Sequence, residues 1–142
     1  MKQDKLQAIL LGVAQDAGVP QVGCLCKNCN LARKDNGKRH LVTCVGIVDR
    51  TVGKSWLMDC TPDFRQQMLI SKISRIDAVL FTHEHKDHVA GLDDIRAYNF
   101  IQKKPINIYC SDNVFTALKR EYRYIFDDTF RYPGIPKINR NW

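Results

Sequence analysis

The chain has 142 residues, 44% of them apolar and 26% charged, which is the composition of an ordered globular domain and excludes a disordered or fibrous chain. Twenty-two Lys and Arg against 15 Asp and Glu leave a formal charge of +7, which favours a small anionic substrate over a neutral one. The basic residues Lys34, Lys38, Arg39, Lys103, Lys104, Lys119, Arg120 and Arg123 are dispersed, so they read as solvated faces and a nucleic-acid partner is not expected. The apolar stretch Ala8 to Ala14 is too short to span a bilayer. Although Lys2 and Lys5 precede it, Asp4 and the following Gln15-Asp16 argue against a signal peptide, so no membrane partner is expected.

In chain order, Leu6–Val13 predicts a first strand, followed by a glycine-containing segment from Gly12 to Gly23 and a cysteine loop. A short helix is expected near Asn28–Lys34, then strands at about Thr43–Asp49 and Ser55–Asp59 and a helix at about Pro62–Ser71. The apolar run Ile76–Phe81 reads as a short buried strand, and an amphipathic helix is expected near Gly91–Gln102. A strand at Ile106–Cys110 precedes a helix with Ser111 or Asp112 as its N-cap. Tyr122, Tyr124, Phe126, Phe130 and Tyr132 alternate with charged residues and suggest a half-buried lid or partner surface. Beyond Tyr132, Pro133-Gly134 and Pro136 break regular structure. Strands alternating with helices predict an α/β fold, one domain over residues 1–142, with helices layered on a sheet.

The chemistry concentrates in Thr82-His83-Glu84-His85-Lys86-Asp87-His88, which holds three of the four histidines directly after the Ile76–Phe81 strand. The segment is expected as a loop at the strand's carboxyl end. Imidazole nitrogen and carboxylate oxygen suit Zn, Mn or Fe, and a tight loop aims alternate side chains at two neighbouring ions. A solvated, histidine-rich loop is the plain alternative, and the position after a hydrophobic strand argues against it. Asp59 ends a strand ahead of Cys60-Thr61-Pro62, where it is also placed to cap the helix beginning near Pro62.

Cys24, Cys26 and Cys29 form a CxCxxC cluster. Three thiols this close cannot all pair among themselves, and a structural zinc held by thiolates is favoured over disulfides. Such a site needs a fourth ligand. His40 and Cys44 are nearest in sequence, and a ligand outside the chain is equally open. Cys44, Cys60 and Cys110 lie on apolar segments and read as buried thiols, which fits a reducing cytoplasm.

The HxHxDH pattern continued by Gly91-Leu92 resembles the signature of the metallo-β-lactamase-fold hydrolases. The resemblance implies that His83 and His85 bind one metal and Asp87 and His88 a second, with Glu84 and Lys86 as spacers. It also implies that Asp59 orients a ligand histidine by accepting its other ring proton, so that Asp59, Asp87 and His88 form the catalytic set. The run Leu10-Leu11-Gly12, Gly18-Val19-Pro20-Gln21 and Gly23-Cys24 through Cys29 is similar to two branches of that family. One is the cyclic-phosphate phosphodiesterase of phosphonate breakdown; the other is pyrroloquinoline-quinone biosynthesis protein B. The resemblance runs from about Leu6 to about Ile138. It implies two divalent metals, Zn or Mn, at the histidine site and one structural Zn at the cysteines, in an αββα sandwich of which this chain supplies about the first half.

In that family a further His, a bridging Asp and a final His come from the second half. No histidine follows His88, and Asp93, Asp94, Asp112, Glu121, Asp127 and Asp128 match no motif position. The chain is either the N-terminal portion of a longer enzyme, which the abrupt ending at Ile138–Trp142 favours, or a short module that pairs with another chain. A half-sandwich leaves one sheet face bare, so the expected partner is a second copy or the second half of the domain. The expected function is metal-dependent hydrolysis of small, cyclic phosphodiesters, with no general acid identifiable. The alternatives are a quinone-cofactor maturation protein and an inactive metal-binding or interaction module.

Overall fold

The computed structural model describes residues 5–130 and 132–141. Lys2, Asp4 and Trp142, which bear on the expectations about the two ends, lie outside the described residues. Six strands form one mixed sheet in the order in which they occur: β1 (Leu6–Gly12), β2 (Cys44–Asp49), β3 (Lys54–Met58), β4 (Ala78–Leu80), β5 (Ile106–Tyr109) and β6 (Ile138–Asn141). The first three are antiparallel neighbours, and β3 to β6 run parallel. Parallel neighbours require crossovers. These are supplied by α2 (Phe64–Ser71) between β3 and β4, α4 (Arg96–Gln102) between β4 and β5, and α5 (Asp112–Glu121) with α6 (Arg123–Phe126) between β5 and β6.

The helices cover one face of the sheet. Leu57, Val79, Ile106 and Ile108 point into a core completed by Phe64 and Met68 of α2, Leu92, Ile95 and Tyr98, and Val114 and Leu118 of α5. The other face carries an in-register row that crosses the whole sheet, Leu10–Val45–Met58–Leu80–Tyr109–Asn141. Leu10 is 72% exposed, and Met58, Leu80 and Tyr109 are each 38% exposed. Strands apolar on both faces belong to sheets buried on both sides, so this row is built to be covered.

Three expected features are refined. The polar segment Ile138–Asn141 is not an irregular ending but strand β6, because the parallel edge of β5 supplies its hydrogen-bond partners. Within the aromatic run Tyr124 and Phe126 are half-buried, as expected, and Tyr122 belongs to the core. Tyr122 is buried and donates to the Val89 carbonyl at 2.8 Å, Tyr124 donates to Asp93 Oδ1 at 2.6 Å, and Phe126 packs edge-on against Phe115. Phe130 and Tyr132 are exposed. The expected helix over 91–102 is a 3-10 turn, Leu92–Ile95, continued by α4. Ser111 caps α5 by accepting from the Val114 N–H, as expected. Among the described residues no helix is long and apolar enough to cross a membrane.

Candidate metal centre

Asp59 follows the end of β3 with φ +67°, in the left-handed region that Asp enters more readily than most residues. Its backbone N–H donates to the Leu80 carbonyl at 2.8 Å, so the tip of β3 is tied to β4 just ahead of the histidine segment. The Asp59 side chain is buried and its carboxylate is well supplied with donors. Oδ1 accepts from the Thr82 N–H at 2.8 Å, the Thr82 hydroxyl lies 2.9 Å from Oδ2, and His88 Nδ1 lies 2.8 Å from Oδ2. Asp59 therefore does not cap α2; Asp63 occupies that cap position, and its carboxylate accepts from the Val42 N–H.

This network assigns the imidazole tautomers. A carboxylate only accepts, so His88 carries a proton on Nδ1, and in the neutral ring the lone pair then sits on Nε2. The Thr82 hydroxyl donates to Asp59 and accepts from His83 Nδ1 at 2.9 Å, which leaves His83 Nε2 with its lone pair as well. Both rings are thus held with a metal-binding nitrogen free, the arrangement that second-sphere carboxylates and hydroxyls impose on ligand histidines. His88 Nε2 then faces Asp87 Oδ2 at 3.2 Å. Two electron-rich atoms at that distance are reconciled by a shared proton or a cation. The donor chemistry therefore fits a divalent metal.

The histidine segment is not wholly a loop: Lys86–Val89 form a single helical turn, α3, carrying Asp87 and His88, while His85 is its N-cap. The His83 ring centroid lies 4.6 Å from that of His85 and 4.0 Å from that of His88. Lys86 lies over the Tyr122 ring, 5.2 Å from its centroid, which gives the cation between His85 and Asp87 an aromatic partner. The turn is pinned from beneath. The Cys60 N–H donates to the His88 carbonyl at 2.8 Å, and the Gly91 N–H donates to the Cys60 carbonyl at 2.9 Å. A Cβ at Gly91 would collide with the Thr61 carbonyl and come within 2.7 Å of Phe64 Cβ, so only glycine allows this approach.

A cleft of about 500 Å³ opens over His85, Asp87 and His88, and its far wall is Ala14, Gln15, Asp16 and Thr43. Gln15 and Asp16 were not singled out from the sequence. The signal available was their place in the glycine-containing stretch after β1, which long-range bonds hold at the site: Ala14 N–H to Leu41 O at 2.9 Å, and the Thr43 N–H and hydroxyl to Ala14 O at 3.0 and 2.7 Å. Thr82 was also not assigned a role, because a threonine after a strand is locally unremarked.

The three cysteines form a second candidate centre. The sulfurs of Cys24, Cys26 and Cys29 lie within 4.8 Å of one another, the one such compact set of three or more donors among the described residues. The histidine-site donors do not form a set this compact. Cys26 is the N-cap of α1 (Lys27–Lys34) and accepts from the Cys29 N–H, chiefly for which reason its thiol is pulled down to about 7, into the thiolate range that metals bind. Neither expected fourth ligand belongs to this set. His40 is exposed and bridges to Val19 through its backbone, and Cys44 is buried with its thiol on the Asp59 carbonyl. Burial pushes the Cys44 thiol up to about 12 and raises Cys60 as well, so both are neutral core groups. Cys110 is only partly buried.

The "Beta-lactamase superfamily domain" family matches residues 55–139, more than half of the chain. An octanoyltransferase of Porphyromonas gingivalis is 41% identical over 133 residues, covering 94% of this chain and 26% of the relative. A coenzyme PQQ synthesis protein B of Methylobacterium sp. is 31% identical over 123 residues, covering 80% of this chain and 40% of the relative. Among solved structures, a diphosphatase of the PhnP family superposes with TM-score 0.77 at 32% identity, covering 96% of this chain and 51% of that one. Zn-bound PqqB from Methylobacterium extorquens superposes with TM-score 0.71 at 24% identity, covering 94% and 45%, a likeness of fold. The chain spans about half the length of these solved structures and less of the curated relatives. With its mixed sheet, its one-sided helix layer and its histidine turn at a strand's carboxyl end, the chain belongs to the β-lactamase superfamily domain family.

Proposed function

We propose that this chain forms part of a metal-dependent hydrolase that cleaves small phosphodiesters, cyclic ones included, with His83 and His85 holding one divalent ion and Asp87 and His88 a second, Zn or Mn. The observation that carries this reading is the Asp59–Thr82 network, which frees a ring nitrogen on both His83 and His88. Ions bound there would supply charge neutralisation on the phosphate oxygens and acidify a bound water. The protein's own contribution is orientation. Asp59 holds the His88 ring, Thr82 holds the His83 ring, and Gln15 and Asp16 line the cleft shared with His85, Asp87 and His88.

In this reading each ion would receive two ligands from this chain, fewer than a catalytic site uses. The remaining ligands come from a second layer packed on the bare sheet face, either further sequence of the same protein or a second copy. The cysteine cluster holds a structural zinc, with its fourth ligand from outside the set of Cys24, Cys26 and Cys29. Together these make a single domain of which this chain is an incomplete part. Six unpaired cysteines favour the cytoplasm as its compartment. The 32% identity to the diphosphatase of the PhnP family over 96% of the chain favours phosphate-ester chemistry. The likeness to coenzyme PQQ synthesis protein B supports a cofactor-maturation role as the second reading.

The test is turnover of bis(p-nitrophenyl) phosphate with added Mn or Zn. Turnover is expected to fall at least a hundredfold in His85→Ala and Asp87→Ala with the circular dichroism unchanged. Turnover equal to wild type in both variants would sink the assignment.

A further inference from the structure

We propose that the groove between α2 and α4 binds an amphipathic anion: a single apolar chain ending in a carboxylate or phosphate. The groove lies among the helices, and its volume is about 650 Å³, within the range of small-molecule sites. A second layer covering the bare row of Leu10, Met58 and Leu80 packs on the opposite face of the sheet and leaves this groove open.

Its floor is apolar. Phe64, Met68, Ile73 and Tyr98 form it, and the Tyr98 hydroxyl is already committed to the Ile73 carbonyl at 2.6 Å. Burial raises that phenol to about 12, so it brings no charge to the floor. The walls place large apolar side chains in water, with Leu69 59% exposed, Phe100 64% and Ile101 69%, a grouping that isolated surface residues do not make.

The rim is cationic. Arg65 and Lys72 line it from α2 and its C-cap, and no carboxylate pairs with either among the described residues. Arg96 lines the α4 side and shares its charge with Asp93 at 3.5 Å, and Asp94 is the one acid in the lining. Lys72 stands at φ +57°, where glycine would be free of strain, and its amine adds charge beside the apolar floor.

An apolar body with cations at the edge matches an apolar ligand with an anionic head. The walls are short: an eight-residue helix such as α2 extends only about 12 Å, so a docked helix would contact about two turns, while an alkyl chain fits that length. The inference is independent of the metal chemistry, and His85→Ala leaves it unchanged.

The test is a two-dimensional amide NMR titration of the chain with sodium decanoate, with decanol and sodium acetate as controls. Saturable shifts are expected at residues 65–72 and 96–101, with decanoate binding at least tenfold tighter than decanol and acetate not binding. Arg65→Glu with Lys72→Glu is expected to weaken decanoate at least tenfold, and Ala97→Phe, which fills the groove, to abolish it. Three results would each overturn the proposal. One is no saturation; another is shifts centred on Leu10, Met58 and Leu80. The third is shifts at the groove that arise from protein concentration alone, which would mark it as a contact between copies.

Discussion

Asp59 joins the fold to the site through one carboxylate, because it accepts from Thr82 and from His88 while its backbone turns the chain at φ +67°. Asp59→Ala removes both the acceptor and a residue tolerant of that conformation. Mn affinity at the histidine site, followed by electron paramagnetic resonance, is expected to fall about 10–100-fold, the usual cost of losing such a partner. Asp59→Asn retains the backbone preference and one acceptor oxygen, so its loss should be smaller. Equal losses would show that backbone geometry contributes little. A second carboxylate acts on stability alone. Asp77 holds the Arg75 guanidinium at 2.6 and 2.8 Å and accepts from the Ser55 N–H and Lys104, and Arg75 chiefly keeps its carboxyl down at about 2. A folded-state value below the unfolded one means stability that is present above about pH 4 and lost as pH falls towards 2. Asp77→Asn should therefore destabilise by about 1–2 kcal/mol at pH 7 and by almost nothing near pH 2, as measured by urea unfolding. A pH-independent difference would contradict this origin.

At the scale of elements, the site depends on how closely α3 approaches the 59–61 segment. Gly91→Ala forces a methyl group against the Thr61 carbonyl and Phe64. An overpacked contact of this kind costs about 1–3 kcal/mol, and relief by moving α3 would also lower Mn affinity. Wild-type stability in this variant would mean that the turn gives way freely. The same scale explains which elements local pattern reveals. Ser111 before α5 and the apolar alternation of β1 to β3 are visible because capping and period-two burial act within a few residues. A four-residue helix such as α3 is too short for any helical periodicity, and β6, with the sequence INRN, has no hydrophobic pattern to announce it.

For the whole molecule, the governing fact is a sheet covered on one side only. The row Leu10–Val45–Met58–Leu80–Tyr109 invites association, and the isolated chain is expected to form dimers or larger species at micromolar concentration by light scattering. Leu10→Lys with Leu80→Lys should return it to a monomer with unchanged circular dichroism. A wild-type chain that is already monomeric would refute self-association through this face. The β-lactamase superfamily assignment gives the bare face its meaning, since the solved relatives are about twice as long.

The sequence by itself determined the chemistry and its place: the histidines and Asp87 after a buried strand, Asp59 ending another, and three cysteines within six residues. These features are legible because ligand spacing, strand alternation and caps are local. Only the tertiary structure decided that Thr82 and Asp59 orient the rings of His83 and His88, and that Asp16 shares a cleft with His85, Asp87 and His88. It alone also separated His40 and Cys44 from the cysteine cluster and opened a groove between α2 and α4. Each of these depends on contacts between segments distant in the chain, fixed by strand register and helix packing, which leave no repeating mark along the sequence.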